Sequence, residues 1–444
     1  MRKYRILIIT AILSLFFVSC KNDRDEVKEY SSPMNPKTVE KSNKDTEVYV
    51  HFMPWFETPE SVGDWGQHWG QPMFDEATGK WTKLKSHYVP LTGPYASSDP
   101  NVLEYQVLLM KYSGIDGVLV DWYGARDYLI SPKEDKNNNT LKLFEKIRAA
   151  GLKLGIVYED RYAHGSGTLA WSDIIDGKTQ GQIDSLYHEV VTWAGEDVKY
   201  LQDNYFSSES YLKINGKPFL GIWPTILIDR PSSARWDSIF NYATTDPTTL
   251  ILINKTGALN GPYPYPDGKT YENIDGEYGW VNNGTQENQF NILNSRNVAI
   301  YPAWPGWNDT YGDGGVSASP VIPHNDGAYL ENQLNFAKEK KPKYLQLITW
   351  NDYGEGTMIE PTEELGFSLL GKVQVYTGVS YNTEILQSIK TFYDLRVTAS
   401  KISDRAEQKD VTAKLNDAFG YFRSLQTDKA IQIVNDLKTK YLQP

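Results

Sequence analysis

Tyr344-Leu345-Gln346-Leu347-Ile348-Thr349-Trp350 is an apolar run that stops abruptly at Asn351-Asp352-Tyr353-Gly354-Glu355-Gly356-Thr357. The run reads as a strand covered on both faces, and the polar cluster begins where that strand should end. Side chains alternate along a strand, so Asp352 and Glu355 would point to opposite faces if the extended backbone continued. Gly354 and Gly356 allow a turn instead, which brings both acids over one place.

The same punctuation recurs upstream. Apolar segments at 48–55, 117–121, 154–158, 218–223, 250–254, 273–278 and 297–303 precede the one at 344–350. Amphipathic helix candidates lie between them, such as those at 101–112, 139–150, 182–194, 234–242, 285–295 and 329–338. Strand followed by helix, eight times over, predicts an α/β fold: a (β/α)8 TIM barrel with its parallel strands wrapped by helices. Asn139-Thr140 opens one helix and Gly151 closes it, while Gly114 does the same before the strand at 117. Segment 385–395 completes the barrel, and stretches 413–425 and 428–440 form a small C-terminal helical extension. The expected organisation is a signal peptide at 1–20, a flexible tether at 21–47, a barrel at 48–396 and the extension at 397–444.

The N-terminus carries an address. Arg2 and Lys3 precede an apolar run from Ile6 to Val18 that ends in Ser19-Cys20. That run falls short of the ~20 apolar residues of a bilayer-spanning helix and suits a signal-peptide core. Cys20 is the only cysteine, which excludes a disulfide framework and a cysteine-based zinc site. Its setting resembles a bacterial lipobox, which implies lipidation of Cys20 and an outer-membrane lipoprotein on the cell-surface or periplasmic face. A formal net charge of -11 argues against a nucleic-acid partner, which would need clustered Lys and Arg. Phosphate-cradling loops, a dinucleotide fingerprint and a nucleophilic-serine elbow are all missing from the sequence.

In a barrel the loops leaving the strand ends form the catalytic rim. Here the long ones, 57–89 and 304–326, are rich in aromatic and polar residues. The first strand end supplies His51 and Trp55, followed by Trp65, Gln67, His68 and Trp69. The next ends supply Asp121, Trp122 and Tyr123, then Tyr158 and Glu159, then Glu277, with Trp304 opening the later long loop. Aromatic faces and carboxylates at successive strand tops suit a polyhydroxylated substrate. Glycoside cleavage needs a paired acid and base, and Asp352 with Glu355 is the outstanding pair. Neither a cofactor nor a metal is expected, since two histidines without a third convergent ligand make no metal site.

Several ordered motifs together resemble glycoside hydrolase family 99, the endo-α-mannosidase/endo-α-mannanase family, and the related family 71. They are Tyr49-Val50-His51-Phe52-Met53-Pro54-Trp55, Gly66-Gln67-His68-Trp69, Pro90-Leu91-Thr92-Gly93-Pro94-Tyr95, Gly114 to Gly124, Tyr158-Glu159-Asp160 and Asn351 to Thr357. The resemblance implies a barrel that hydrolyses α-linked mannosides internally with retention, the substrate's own 2-hydroxyl attacking C1. Carried over, Glu355 matches the general acid/base and Asp352 matches the residue that assists the 2-hydroxyl or acts as base. The family generally has Glu at the first position, so Asp352 is one methylene short. The substrate-binding set is completed by Tyr95, Asn351 and Tyr353. The partners implied are a polysaccharide or oligosaccharide, the membrane through the anchor, and companion glycan-uptake proteins. The alternative is a non-catalytic glycan-binding surface lipoprotein that keeps the aromatic cleft.

Overall fold

The computed structural model describes residues 34–127, 135–164, 176–223, 239, 250–253, 276–281 and 285–442. Eight parallel strands are β1 Glu47–Phe52, β2 Gly117–Trp122, β3 Lys153–Glu159, β4 Lys217–Trp223, β5 Leu250–Ile253, β6 Gly276–Tyr278, β7 Val298–Ala303 and β8 Tyr344–Leu347. Each pairs with the next in sequence, β3 with β4 included, and β8 returns to β1 through Glu47↔Tyr344 to Val50↔Leu347. The sheet closes into a barrel with no free edge, as the eight apolar runs predicted. Of the expected stretches, the helix at 234–242 lies outside the described residues except for Ile239, as do the signal peptide with Cys20 and the tether up to residue 33.

Strand alternation sorts the core into two layers. Tyr49, Leu119, Val157, Tyr278, Ile300 and Tyr344 pack together inside the barrel. Their strand neighbours Val48, Val50, Val118, Val120, Leu154, Ile156, Leu345 and Leu347 face the helices. Glycines sit where strands come closest. A Cβ on Gly117 would overlap the Lys153 carbonyl across the β2–β3 seam.

The helices start where side chains satisfy their first N–H groups. Asp99 caps Pro100–Tyr112 by accepting from Asn101 N. Asp135 caps Lys136–Ala150, so that helix opens three residues before the position read from Asn139-Thr140. Asn139 instead donates to Pro54 O and Glu57 Oε1, tying the helix to the end of β1. After β8 comes a helix the sequence pattern did not reveal, Ser368–Thr377. Gly371 lies in its middle, and glycine is a poor helix former. Thr383–Ala399 follows and packs on Pro100–Tyr112, and the two last helices, Arg405–Arg423 and Thr427–Tyr441, pack against it.

Part of the stretch expected as a tether has a fixed place. From Met34 onward the chain lies across the strand-start face of the barrel. Met34 packs against Gly420, Lys37 N donates to Arg423 O, and Ser42 N donates to Gly378 O. Lys41 Nζ meets Asp116 Oδ2 at 2.5 Å, and the same oxygen accepts Val48 N at the start of β1. Among the described residues no helix is long and apolar enough to cross a membrane.

The crowding at Gly117 gives a direct test of barrel closure. Gly117→Ala should lower the free energy of unfolding by about 1–3 kcal/mol, the usual cost of an added methyl in a packed site. Urea unfolding of the two forms, monitored by tryptophan fluorescence, measures the difference.

Candidate active site

β8 ends at Leu347, and the chain turns across the barrel mouth while anchored to β1. Trp350 N donates to His51 O at 2.6 Å. Asn351 then holds the main chain of Met53 at both groups: its Oδ1 accepts Met53 N at 2.8 Å and its Nδ2 donates to Met53 O at 3.0 Å. Thr349 Oγ1 accepts Asp352 N at 2.7 Å. Asp352 Oδ1 in turn accepts Glu355 N at 2.9 Å, folding the two acids into one turn. Gly356, at φ 65°, lies against the Asn308 backbone, where a Cβ would collide.

Both carboxyl groups are held above the ordinary carboxylate range, for different net balances. Burial pushes Asp352 up to about 6, while the N–H groups of Glu355 and Gly354 pull it back. Burial raises Glu355 well above its usual value, and the negative charges of Asp352 and Asp309 add to the rise. Glu355 Oε2 is buried with no hydrogen-bond partner among the described residues. The pair therefore splits into a group that ionises first and a group that keeps its proton.

Alternation decides which rim residues reach the cleft. His51, Met53 and Trp55 of the β1 end line it, as do Asp121 and Tyr123, Val157 and Glu159, Trp223, and Tyr278 with Trp280. Tyr311, His68, Asp352 and Glu355 complete the wall. A shallower groove continues past Trp55, His68, Tyr311 and Asp352 to Gln67, Lys85 and Thr310. Trp55 and His68 are stacked, with centroids 4.1 Å apart and planes at 9°. Burial, then the charges of Lys136 and Lys85, hold His68 well below the ordinary histidine range. Burial lowers His51 to about 3, and both rings are neutral at pH 7.

The remaining residues of the expected set stand behind this wall. Trp122 donates its Nε1 to Asn137 and stacks on Tyr200, and Tyr158 donates to Asp197 at 2.7 Å; both point toward the helices. Glu277 turns away from the cleft and accepts Arg296 Nε at 2.6 Å. Trp304 is buried among Trp307, Val281 and Ile348. Trp69 is fully buried, donating to Tyr95 O, and Trp65 lies edge-on to Trp81 outside the cleft. Tyr95, Asn351 and Tyr353 form the floor beneath the turn.

That floor is organised by a carboxylate that sequence reading passed over. Glu360 accepts from Tyr95 Oη at 2.8 Å, Tyr353 Oη at 2.9 Å and Gln106 Nε2 at 2.7 Å. Burial lifts it to about 7 against these three donors. A second unnoticed carboxylate, Asp309, orders the loop above. It accepts from Trp307 Nε1, Tyr311 N, Ser317 Oγ, Ala318 N and Ser319 N. Burial opposes its ionisation, but these donors bring it down to about 2. The loop so fixed donates Asn308 N to Glu355 O and Thr310 N to Gly354 O, and it delivers Tyr311 to the cleft.

Glu360 makes a pH prediction with a definite sign. Its carboxyl binds its proton more tightly folded (about 7) than unfolded (4.5), so its contribution to stability is complete below about pH 4.5 and declines as the pH rises toward 7. Glu360→Gln cannot titrate. Chemical denaturation at pH 4.5, 6 and 7 should show a smaller fall in stability for the variant, by an amount on the order of 1–3 kcal/mol. Equal slopes for the two forms would contradict this assignment.

Comparison with known proteins fits the geometry. No protein-family model matches the chain. Glycoprotein endo-alpha-1,2-mannosidase of Xenopus laevis is 22% identical over 350 residues, spanning 71% of this chain and 69% of that protein. The glycoprotein endo-alpha-1,2-mannosidase-like protein of Homo sapiens is 22% identical over 365 residues, spanning 73% and 70%. Among solved structures, the GH99 endo-alpha-mannosidase from Bacteroides thetaiotaomicron aligns with a TM-score of 0.53 at 18% identity, covering 78% of this chain and 98% of that one. The structural likeness agrees with the barrel described above. In sequence the chain is similar to glycoprotein endo-alpha-1,2-mannosidases, and in fold to a solved endo-alpha-mannosidase of glycoside hydrolase family 99.

Proposed function

We propose that this protein is an endo-acting glycoside hydrolase of an α-linked mannan or related polysaccharide, with Glu355 as general acid/base and Asp352 assisting the substrate 2-hydroxyl or acting as base. The observation that carries the reading is the Asp352–Glu355 turn. Two adjacent carboxyls with different proton affinities are held over an aromatic cleft at the barrel mouth. Homology to mannosidases supports the glycosidase class and the α-mannan preference.

In the proposed first step Asp352 takes the proton of the 2-hydroxyl, whose oxygen attacks C1. The C1–O bond to the leaving sugar breaks, and Glu355 gives its proton to the departing oxygen. In the second step Glu355 deprotonates a water that attacks C1, the bond from C1 to O2 opens, and Asp352 returns the proton to O2. Asp352 is shorter by one methylene than the family's Glu, and its turn is drawn in by Thr349 Oγ1 and by the backbone contact of Gly356 with Asn308. His51, Trp55, His68, Asp121, Tyr123 and Glu159 then position the sugar, with Gln67 farther along the groove. Trp65, Trp69, Tyr95, Trp122, Tyr158, Glu277, Trp304, Asn351 and Tyr353 support these walls from behind. We also propose that lipid on Cys20 anchors the protein to a bacterial outer membrane, where companion glycan-uptake proteins are its expected partners.

The test is product analysis with a soluble form beginning at Met34, incubated with α-mannans and α-glucans. Oligosaccharides should appear from mannan and fall by roughly 10²–10⁴-fold in Glu355→Gln, the range typical of losing a general acid or base. Activity should require ionised Asp352 and protonated Glu355, giving an acid limb near pH 6 and an alkaline limb set by Glu355. Binding of mannan by both forms without any product would instead mark a glycan-binding protein.

A further inference from the structure

Between Trp69 and Lys85 the chain leaves the rim and returns as an antiparallel hairpin, Gly70–Asp75 against Lys80–Leu84. Its ends are closed by Lys85 N donating to Trp69 O at 2.9 Å. Both roots line the groove that carries the cleft past Asp352: Gln67 and His68 before the first strand, Lys85 after the second. The hairpin is therefore an outgrowth of the cleft wall itself.

A line of aromatic rings follows it outward. Trp65 meets the edge of Trp81 at 6.1 Å, and Trp81 meets the edge of Phe74 at 5.2 Å. Phe74 and Trp81 are direct cross-strand partners, which fixes their rings side by side. Trp81 is further seated over Gly93, where a Cβ would come within 3.0 Å of its Nε1. Despite this rigid seating Phe74 is 46% exposed, and Met73 is 51% exposed. Neither is needed to close the core. Rings held in place before a ligand arrives lose little freedom on binding, which favours them as contact surfaces.

We infer that this hairpin is a docking platform for the sugar units of a polysaccharide lying beyond those in the cleft, which stack on Trp81 and Phe74. The inference rests on the glycosidase reading above. Continuity selects the occupant: a chain leaving the catalytic turn along Gln67 and Lys85 reaches this hairpin next. At about 3.3 Å per residue each strand runs for roughly 17–20 Å, enough for several sugar rings.

The experiment uses soluble α-mannan and a mannotetraose with the Phe74→Ala, Trp81→Ala and Trp81→Phe variants. Each is made in the parent and in the Glu355→Gln background, and melting temperatures check the fold. In the Glu355→Gln background, gel retardation by mannan should weaken roughly three- to tenfold on removal of either ring. Trp81→Phe should recover most of the loss. In the active background, the ratio of kcat/KM on mannan to kcat/KM on the tetrasaccharide should fall by a similar factor. Unchanged mannan binding, or an equal loss on polymer and tetrasaccharide, would overturn the platform. Absence of products from every form, with ring-dependent mannan binding retained, would overturn the hydrolase reading and leave the platform standing.

Discussion

Asn351 joins the last strand of the barrel to the first at the end where the acids stand. The regular pairing of β8 with β1 stops at Val50↔Leu347, and the Asn351 side chain takes over by bonding both main-chain groups of Met53. An amide side chain is suited to this, because it offers a donor and an acceptor side by side as a strand does. The seam fixes where Asp352 and Glu355 begin, since both follow within a few residues. It also fixes Met53 and Trp55, which form the facing wall. A change of register between the two strands would displace both sides of the cleft together.

Beneath and above that seam lie two carboxylates with opposite characters. Glu360 is held up near neutrality by burial, whereas Asp309 is held near the bottom of the carboxylate range by five donors. The difference lies in the number and type of donors: three side-chain groups below, and three backbone N–H groups among those above. Asp309 supplies lasting negative charge close to Glu355 and is one cause of its raised proton affinity. The loop that Asp309 orders also bonds the backbone of Gly354 and Glu355, so geometry and charge reach the turn through one residue. At neutral pH the two therefore act on the fold in opposite senses: the raised proton affinity of Glu360 works against stability, and the depressed one of Asp309 adds to it.

The strands were legible because each is a short apolar run with punctuation at both ends, a signal that needs no knowledge of tertiary contacts. The same alternation could also have separated Asp121 and Glu159 from Trp122 and Tyr158, had the parity set by His51 and Trp55 been carried around the barrel. Glu277 would have been assigned outward by that rule, and Tyr278 inward. Glu360 was hidden for a different reason: its partners Tyr95 and Gln106 come from a crossover more than 250 positions away. Nothing in the sequence beside Glu360 announces that three donors will converge on it. Asp309 was similarly obscured, because the loop around it has no periodicity to read. The helix at Ser368–Thr377 was missed through a local cue, the glycine at its centre, which packing overrode.

The segment from Met34 to Thr46 crosses the barrel at the strand-start face, opposite the cleft. Whatever holds the chain upstream of it therefore holds the barrel by its base, like a cup fixed to a shelf with its opening outward. With the lipid anchor proposed above at that end, a long polymer would reach the opening without passing between the barrel and the membrane. The ion pair of Lys41 with Asp116 lies where that support would pull, and Asp116 also accepts the N–H of Val48 in the first barrel strand. Tension applied to the N-terminus would reach the barrel through its closed end before it could disturb the acids at the mouth.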